Sequence, residues 1–318
     1  MKATIFVSAA LYLIALAGTA NGQPVGLGTT KGGGFAQISN GVAKVVTTKT
    51  DVKMRPQPMG GTQQYLPMIN AGELEFGISN IIQAVMARTG TGYSEGHVHP
   101  NISLAATLTP TVLGPAVAAD SKIKSVADFK GVRFPHGFKS APQIQNIFNA
   151  FLANAGISWD EVDKVPSVGL SQHFDQFKQG ALDVAGAPVG SGAVKELNAS
   201  VTGGVRFVSL DDSAAAVARV RELLPGARIE VMQPSAALTG IVGPTKVLSY
   251  DTMLIVNTKV ADETVYKVVK SIYENEKELQ ETSALWRGFD RKVMARAHGD
   301  FPYHPGAVKY FKEAGLLN

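Results

Sequence analysis

Short apolar runs rich in small and β-branched residues alternate along this chain with stretches whose apolar residues recur every three or four positions. That alternation leaves few architectures open. Strands and helices that follow one another in turn pack as layers, helices against sheet, which defines an α/β fold. Residues 25–27 read as a first strand, and Phe35, Ile38, Val42, Val45 and Val46 recur at helical spacing after it. Residues 52–55 read as a second strand, a helix follows around residues 63–71, and residues 76–78 read as a third strand. Pro67 is expected to shorten or kink that helix, because proline has no N–H and its ring crowds the preceding turn.

Residues 102–108 and 112–118 read as two long strands of the kind that pass between lobes. Residues 126–134 open a second α/β unit with the clearest helix of the chain. Ile144, Ile147, Phe148, Phe151, Leu152 and Ala155 form one apolar stripe there. Ser140 and Gln143 have the spacing of a capping box, and Gly156 that of a C-terminal cap. A helix at residues 173–179, strands at 182–185, 205–210 and 252–256, and a long helix carrying Val265, Val268, Val269, Ile272, Tyr273 and Leu279 complete the pattern. The chain is expected to leave a first lobe near Thr111 and return near Tyr250. Lobe one would then hold residues 23–111 and 250–318, lobe two residues 112–249, with a hinge between them.

Lys2, a nearly unbroken apolar run at residues 5–17, and then Gly18, Thr19 and Ala20 have the layout of a signal peptide over residues 1–22. Cleavage is expected near Ala20 or Gly22. The run is short for a membrane span, and no later segment is apolar for about 18 residues. The mature chain is therefore expected to be soluble and periplasmic. There are no cysteines, which excludes disulfides, thiolate metal sites and cysteine nucleophiles. The formal charge of +4 includes Lys2 and is not gathered into dense Lys/Arg patches, so a nucleic-acid partner is not expected. A mildly positive field favours anionic ligands.

Three places combine a strand end, small residues and a helix start, so each aims unsatisfied backbone N–H groups at one spot. The first is Thr29-Thr30-Lys31-Gly32-Gly33-Gly34-Phe35, where glycines allow close approach of a ligand. Its rivals are an ordinary glycine-rich connection, and a dinucleotide loop built on Gly26-x-Gly28. The next glycine is Gly32, so the spacing of that fingerprint fails. The second is Met59-Gly60-Gly61-Thr62, where Thr62 either caps a helix or donates to a ligand. The third is His136-Gly137-Phe138-Lys139-Ser140-Ala141, where Ser140 serves as cap, ligand contact or both, and Lys139 and His136 supply positive charge. Surface or packing roles compete with each. His97-x-His99 beside Glu95 lacks an evident third metal ligand. No nucleophile elbow, zinc-protease helix or P-loop is present. Trp159 and Trp286 read as packing residues.

These residues resemble a known family, the TAXI-type solute receptors of tripartite ATP-independent periplasmic (TRAP) transporters. The resemblance runs from about Val25 to the C-terminus. It rests on Gly32-Gly33-Gly34-Phe35, on Gly60-Gly61-Thr62 with Gly72 to Gly77 after it, on residues 123–134, and most specifically on the ending from His304-Pro-Gly-Ala to Gly315. The resemblance implies a two-lobed periplasmic-binding-protein fold of type II, each lobe a mixed sheet flanked by helices. It also implies a small organic anion as ligand (an amino acid or dicarboxylate), a membrane permease as partner, no cofactor and no catalysis. On motif position, Gly33, Gly34, Phe35, Gly61 and Thr62 line the lobe-one side and Gly137, Lys139 and Ser140 the lobe-two side. Ala187 and Pro188 are nearby. The family often has small residues where this chain has Phe138 and Lys139, which points to a smaller or differently charged ligand. A monomer is expected. Two other readings use the same fold: a binding protein of an ATP-driven importer for a small heterocycle or sulfonate-like ligand, and a periplasmic enzyme.

Overall fold

The computed structural model of the protein describes residues 24–138 and 142–317. The signal-peptide reading at residues 1–22 falls outside the described residues, as do the predicted site residues Lys139 and Ser140 with their capping box.

The first part is a regular alternation: β1 (Pro24–Thr30), α1 (Gly33–Lys49), β2 (Lys53–Met59), α2 (Thr62–Ala71), β3 (Phe76–Asn80) and α3 (Ile81–Thr89). β1 pairs in parallel with β2 on one side and β3 on the other. Gly26 and Gly28 on β1 leave no room for a side chain. A Cβ on Gly28 would stand 2.8 Å from the Tyr65 ring, and one on Gly26 2.3 Å from Leu74. The Gly26-x-Gly28 spacing therefore serves close packing of Tyr65 of α2, and of Leu74 after it, on the sheet. Pro67 lies inside α2 without ending it, since Tyr65, Leu66 and Ile69 are buried and hold the helix down despite one lost backbone bond.

The expected pair of strands at 102–118 is a single strand, β4 (Ile102–Ala118). The chain continues through β5 (Arg133–Gly137), α4 (Pro142–Ala155), β6 (Asp163–Ser167), α5 (Leu170–Lys178), β7 (Ala185–Pro188), α6 (Gly192–Ser200), β8 (Val205–Phe207), α7 (Ala214–Leu223) and β9 (Arg228–Met232). β7 begins where the predicted strand at 182–185 was to end. β10 (Thr245–Asn257) extends well upstream of the expected 252–256. The long helix expected after it is two, α8 (Asp262–Glu274) and α9 (Glu276–Thr282), broken at Asn275. The last helix is α10 (Pro305–Glu313).

β4 and β10 run antiparallel along each other and carry both halves of the molecule. One end of β10 pairs with β3, the other with β9. β7 and β8 join the far end of β4. The result is a mixed sheet in the order β2-β1-β3-β10-β4-β7, with a separate parallel pair β5-β6. At the midpoint Tyr250 faces Thr111 and Asp251 faces Pro110, and the register shifts between Asp251 and Met253. A bulge opposite a proline interrupts the ladder at this point. Asp251 is 2% exposed and accepts from Arg228 of β9 (2.8 and 2.9 Å) and from Arg296 of the C-terminal segment (2.9 Å).

The C-terminal motif is structural. His304 caps α10, its Nδ1 accepting from the Gly306 N–H at 3.2 Å, and Pro305 occupies the first helical turn. A Cβ on Gly306 would fall 2.2 Å from the Asp262 carbonyl oxygen, so α10 crosses the start of α8 at a distance only glycine permits. Gly306→Ala is expected to lower the thermal midpoint and the urea midpoint, at a cost of about 2 kcal/mol from overpacking. Unchanged unfolding curves would show that the crossing relaxes freely.

Candidate ligand-binding cleft

Because β1, β2 and β3 are parallel, their ends at Thr30, Met59 and Asn80 share one edge, and α1, α2 and α3 begin there. In the other half, parallel β5 and β6 end as partners at Gly137 and Ser167, and α4 and α5 begin just beyond. Helix N-termini present unsatisfied N–H groups and a partial positive charge. The carboxyl edge of such strands is where open α/β sheets take ligands.

α1, α2 and α5 each start from a glycine, Gly32, Gly61 and Gly169, in extended backbone with no side-chain cap. Glutamines tie down the loops before α2, α5 and α4. Gln64 accepts from the Gly60 N–H at 2.7 Å, Gln172 from Val168 at 2.6 Å and Gln145 from Gly137 at 2.7 Å. The loops before α2 and α5 are thus held while those helix ends, like that of α1, stay open. α3 is different, since Asn80 caps it by accepting from the Gln83 N–H at 2.8 Å.

A cavity of about 200 Å³ lies between the two halves. Asn80, Ile82 and Gln83 at the start of α3 form one wall, and Ile144, Ile147 and Phe148 of α4 with Leu170 of α5 form the opposite one. Thr111, Leu113 and Tyr250 of the crossing strands make the floor, and Gly186 and Pro188 of β7 close a side. Larger cavities, two of about 470 Å³ and one of about 640 Å³, occur elsewhere, but none is reached by the crossing strands' midpoint or by helix starts from both halves. The described lining is mostly apolar and contains no charged side chain. Its polar groups are amides and hydroxyls. The Gln83 Oε1 is buried without a hydrogen-bond partner. Such an atom costs about 1–3 kcal/mol if left unmet, so the Gln83 amide head is available to a ligand.

A polar ladder crosses the cleft. The Gly137 N–H donates to Gln145, Gln145 Nε2 to Asn149 (2.9 Å), Asn149 Nδ2 to Asn146 (3.4 Å), and Asn146 Nδ2 to the Tyr93 hydroxyl (2.9 Å). Trp159 also donates to Asn149, at 2.9 Å. Tyr93 belongs to the turn Gly92–Ser94 after α3, so its bond to Asn146 joins the two halves. Burial pushes the Tyr93 phenol up to about 12, against a smaller opposing effect of Asn146. Burial and then Tyr93 push Tyr250 up to about 12. Both phenols therefore stay neutral and act only as hydrogen-bonding groups.

Of the predicted residues that are described, Pro188 lines the cavity. Ala187 is buried and faces the core, because strand alternation puts Gly186 and Pro188 on the cleft side. Thr30 donates to the Gly32 carbonyl at 2.7 Å, and Gly33 has φ +78° with open space where a side chain would stand. Gly34 lies near Leu285, and Phe35 is half-buried against the α1 core. Gly61 begins α2, and Thr62 is buried with its hydroxyl 3.4 Å from Gln63 Oε1. Gly137 has φ +113° and ends β5. Phe138 does not crowd the cleft as expected. It is fully buried, stacked on Phe148 at 5.3 Å, and held at φ +28°, an unfavourable value for a bulky residue. Gln83, Tyr93, Asn146 and Tyr250 were missed. Asn80-x-x-Gln83 was a readable signal, but Ile81 and Ile82 after β3 look like a continuing strand and hid the start of α3. His97 and His99 lie in the loop after Tyr93, where the His97 ring meets the Glu95 carbonyl at 3.0 Å.

Behind Phe138 and Phe148, His173 is fully buried, and burial drives its pKa down to about 4. Burial does the same to His298 beside Asp251, also to about 4. Both are neutral in the folded protein, while the unfolded chain takes up protons near the ordinary value of about 6.5. Their contribution is present above that value and is lost as pH falls toward about 4, on the order of 3 kcal/mol for each. Urea unfolding at pH 7.5, 6 and 4.5 should give steadily lower midpoints, and His173→Phe should flatten the acid side of that curve.

The arrangement is that of solute-binding proteins. Similar solved structures include a TctC solute-binding protein from Polaromonas, 13% identical, with a TM-score of 0.58 over 92% of this chain and 98% of that one. They include the periplasmic aliphatic sulphonate-binding protein SsuA from Escherichia coli, 16% identical, TM-score 0.50, over 92% and 83%. PhnD1 from Prochlorococcus marinus, in complex with methylphosphonate, is 12% identical with a TM-score of 0.53 over 92% and 99%. At such identities the likeness establishes the fold, the α/β mixed-sheet fold of two-lobed periplasmic binding proteins. The sequence profile of the NMT1-like family matches residues 27–315, and the chain belongs to that family.

Proposed function

We propose that the protein is an exported solute receptor that captures a small organic anion with an apolar body by closure of two lobes and delivers it to a TRAP-type membrane permease, without acting on it chemically. The carrying observation is the cavity between the halves, with the unpartnered Gln83 amide head in its wall. In this reading residues 23–111 and 250–318 form lobe one and residues 112–249 lobe two, hinged at the interrupted ladder around Pro110 and Asp251. The carboxylate faces the helix starts, including Lys139 and Ser140 of the second lobe. The apolar body lies on Ile144, Ile147 and Phe148. Thr30, Gly33, Gly34, Phe35, Gly61 and Thr62 form the outer lobe-one wall, Gly137 and Pro188 the facing one, and Ala187 supports it from behind. A ligand stabilises the closed form only through its greater affinity for that form, and the Tyr93–Asn146 bond is one contact made on closing.

The uncharged described lining favours one rival: an ATP-driven importer's receptor for a neutral heterocycle. Calorimetry with branched-chain carboxylates, dicarboxylates, amino acids, sulfonates and pyrimidines separates them. An organic acid is expected to bind, with compaction in small-angle scattering. Gln83→Ala is expected to weaken it about tenfold, and Tyr93→Phe less. Lys139→Gln should weaken the acid and leave a neutral ligand unaffected. Tight binding of a pyrimidine that ignores Lys139→Gln would replace the anion reading, and binding without compaction would remove lobe closure.

A further inference from the structure

The largest of the described cavities, about 640 Å³, shares no lining residue with the cleft. It is lined by four arginines. Arg88 of α3 and Arg296 of the C-terminal segment come from one half, Arg221 of α7 and Arg228 of β9 from the other. We propose that this cavity is a second ligand site, for a phosphate dianion, either free or carried on a small molecule, and that an occupant bridges the two halves.

The arginines are unequally committed. Arg228 is spent on the protein. Its two Nη atoms donate to Asp251, and its Nε to Glu230. Arg296 gives only Nη1, to the same Asp251. Arg88 gives only Nη1, to the Pro100 and Ile102 carbonyls at 2.8 Å each. Arg221 gives only Nε, to the Ala227 carbonyl at 3.0 Å, which leaves both terminal nitrogens to the cavity. Three guanidiniums, each anchored through one nitrogen, thus keep donors for an occupant. Asp300 is the one carboxylate in the lining, and it is exposed. Asp251 and Glu230 sit behind the wall and answer Arg228 and, in part, Arg296.

This set of donors selects its ligand. Guanidiniums do not lose their proton, so the positive excess persists at every working pH. Planar forks from several directions match the oxygens of a tetrahedral oxyanion. Asp251, Glu230 and the exposed Asp300 offset part of the charge, so the preference for phosphate over a carboxylate rests on the free N–H donors of Arg88, Arg221 and Arg296, more than a carboxylate's two oxygens can accept. His298 in the lining adds no charge, since burial holds it neutral while its Nε2 meets the Thr107 hydroxyl at 3.0 Å. Phe301, with Arg88 5.5 Å above its ring, and Val85 give an apolar wall beside the charge. The volume falls within the usual range for small-molecule sites and leaves space for an organic group.

The test does not depend on the cleft's function. Inorganic phosphate is titrated into the full chain by calorimetry in chloride buffer, at low and at physiological salt. One saturable site is expected, weakened about tenfold in Arg221→Gln and less in Arg221→Lys, which keeps the charge but loses the fork. Arg221 is exposed, and an unchanged circular-dichroism melt would confirm that the variants fold. Gln83→Ala in the cleft, and Lys267→Gln at the cation paired with Asp51 at 3.0 Å, should leave phosphate binding unchanged. Phenyl phosphate distinguishes the sources: tighter binding than phosphate supports an ester ligand, equal or weaker binding the free ion. Lack of saturation at about 10 mM overturns the proposal. So does indifference to Arg221→Gln, or equal loss in Lys267→Gln, which marks unspecific charge attraction. Loss in Gln83→Ala instead would put the phosphate in the cleft and overturn the second site.

Discussion

β4 and β10 lie side by side through the whole molecule, and β3, β7, β8 and β9 attach directly to one or the other. β3 and β9 extend β10 at its two ends, and β7 and β8 extend the far end of β4. The pairing must hold as a continuous ladder to keep the halves together, yet it is interrupted where Pro110 meets the shift between Asp251 and Met253. At that point a buried carboxylate takes over from the ladder. Asp251 holds Arg228 of one half and Arg296 of the other. Removing one partner of a buried ion pair costs far more than the pair contributes in net stability, so this contact pins the junction even where backbone pairing is weak.

The two sides of the cleft follow from the same layout. Parallel pairing of β1, β2 and β3 brings three helix starts to one edge, and parallel pairing of β5 and β6 brings two more to the opposite edge. Glycine N-caps leave the starts of α1, α2 and α5 open, while Gln64, Gln172 and Gln145 hold the loops before α2, α5 and α4. The aromatic cluster of Phe138, Phe148 and His173 then fixes α4 and α5 against each other behind the cavity. Gly186 belongs to this support, because a Cβ there would stand 2.8 Å from the Phe148 ring.

The protein thus carries polar groups of two kinds. Around the cleft they are neutral amides and phenols set among apolar side chains, a lining that rewards shape and hydrogen bonding. Around the Asp251 junction they are permanently charged guanidiniums, a lining that rewards net charge.

Much of this was written locally. The alternation of apolar runs with helical stripes determined the α/β layering, and it placed β1, α1, α2, β3 and α4 correctly, since the helices bury one face at helical period and the two strands are short runs buried on both faces. The glycine-rich helix starts were legible for the same reason, as was the packing role of Trp286, which is fully buried. Other features depended on partners distant in the chain. Only pairing with β10 shows that 102–118 is one strand, only the crossing with Asp262 explains Gly306, and only the stacking on Phe148 turns Phe138 inward. The cleft residues Gln83, Tyr93, Asn146 and Tyr250 come from four separate segments, and the arginine cavity from α3 again and three more. Periodicity reports which face of an element is buried. It carries no information about which distant element covers that face, and the assembly of sites from such pairings was decided by the tertiary structure.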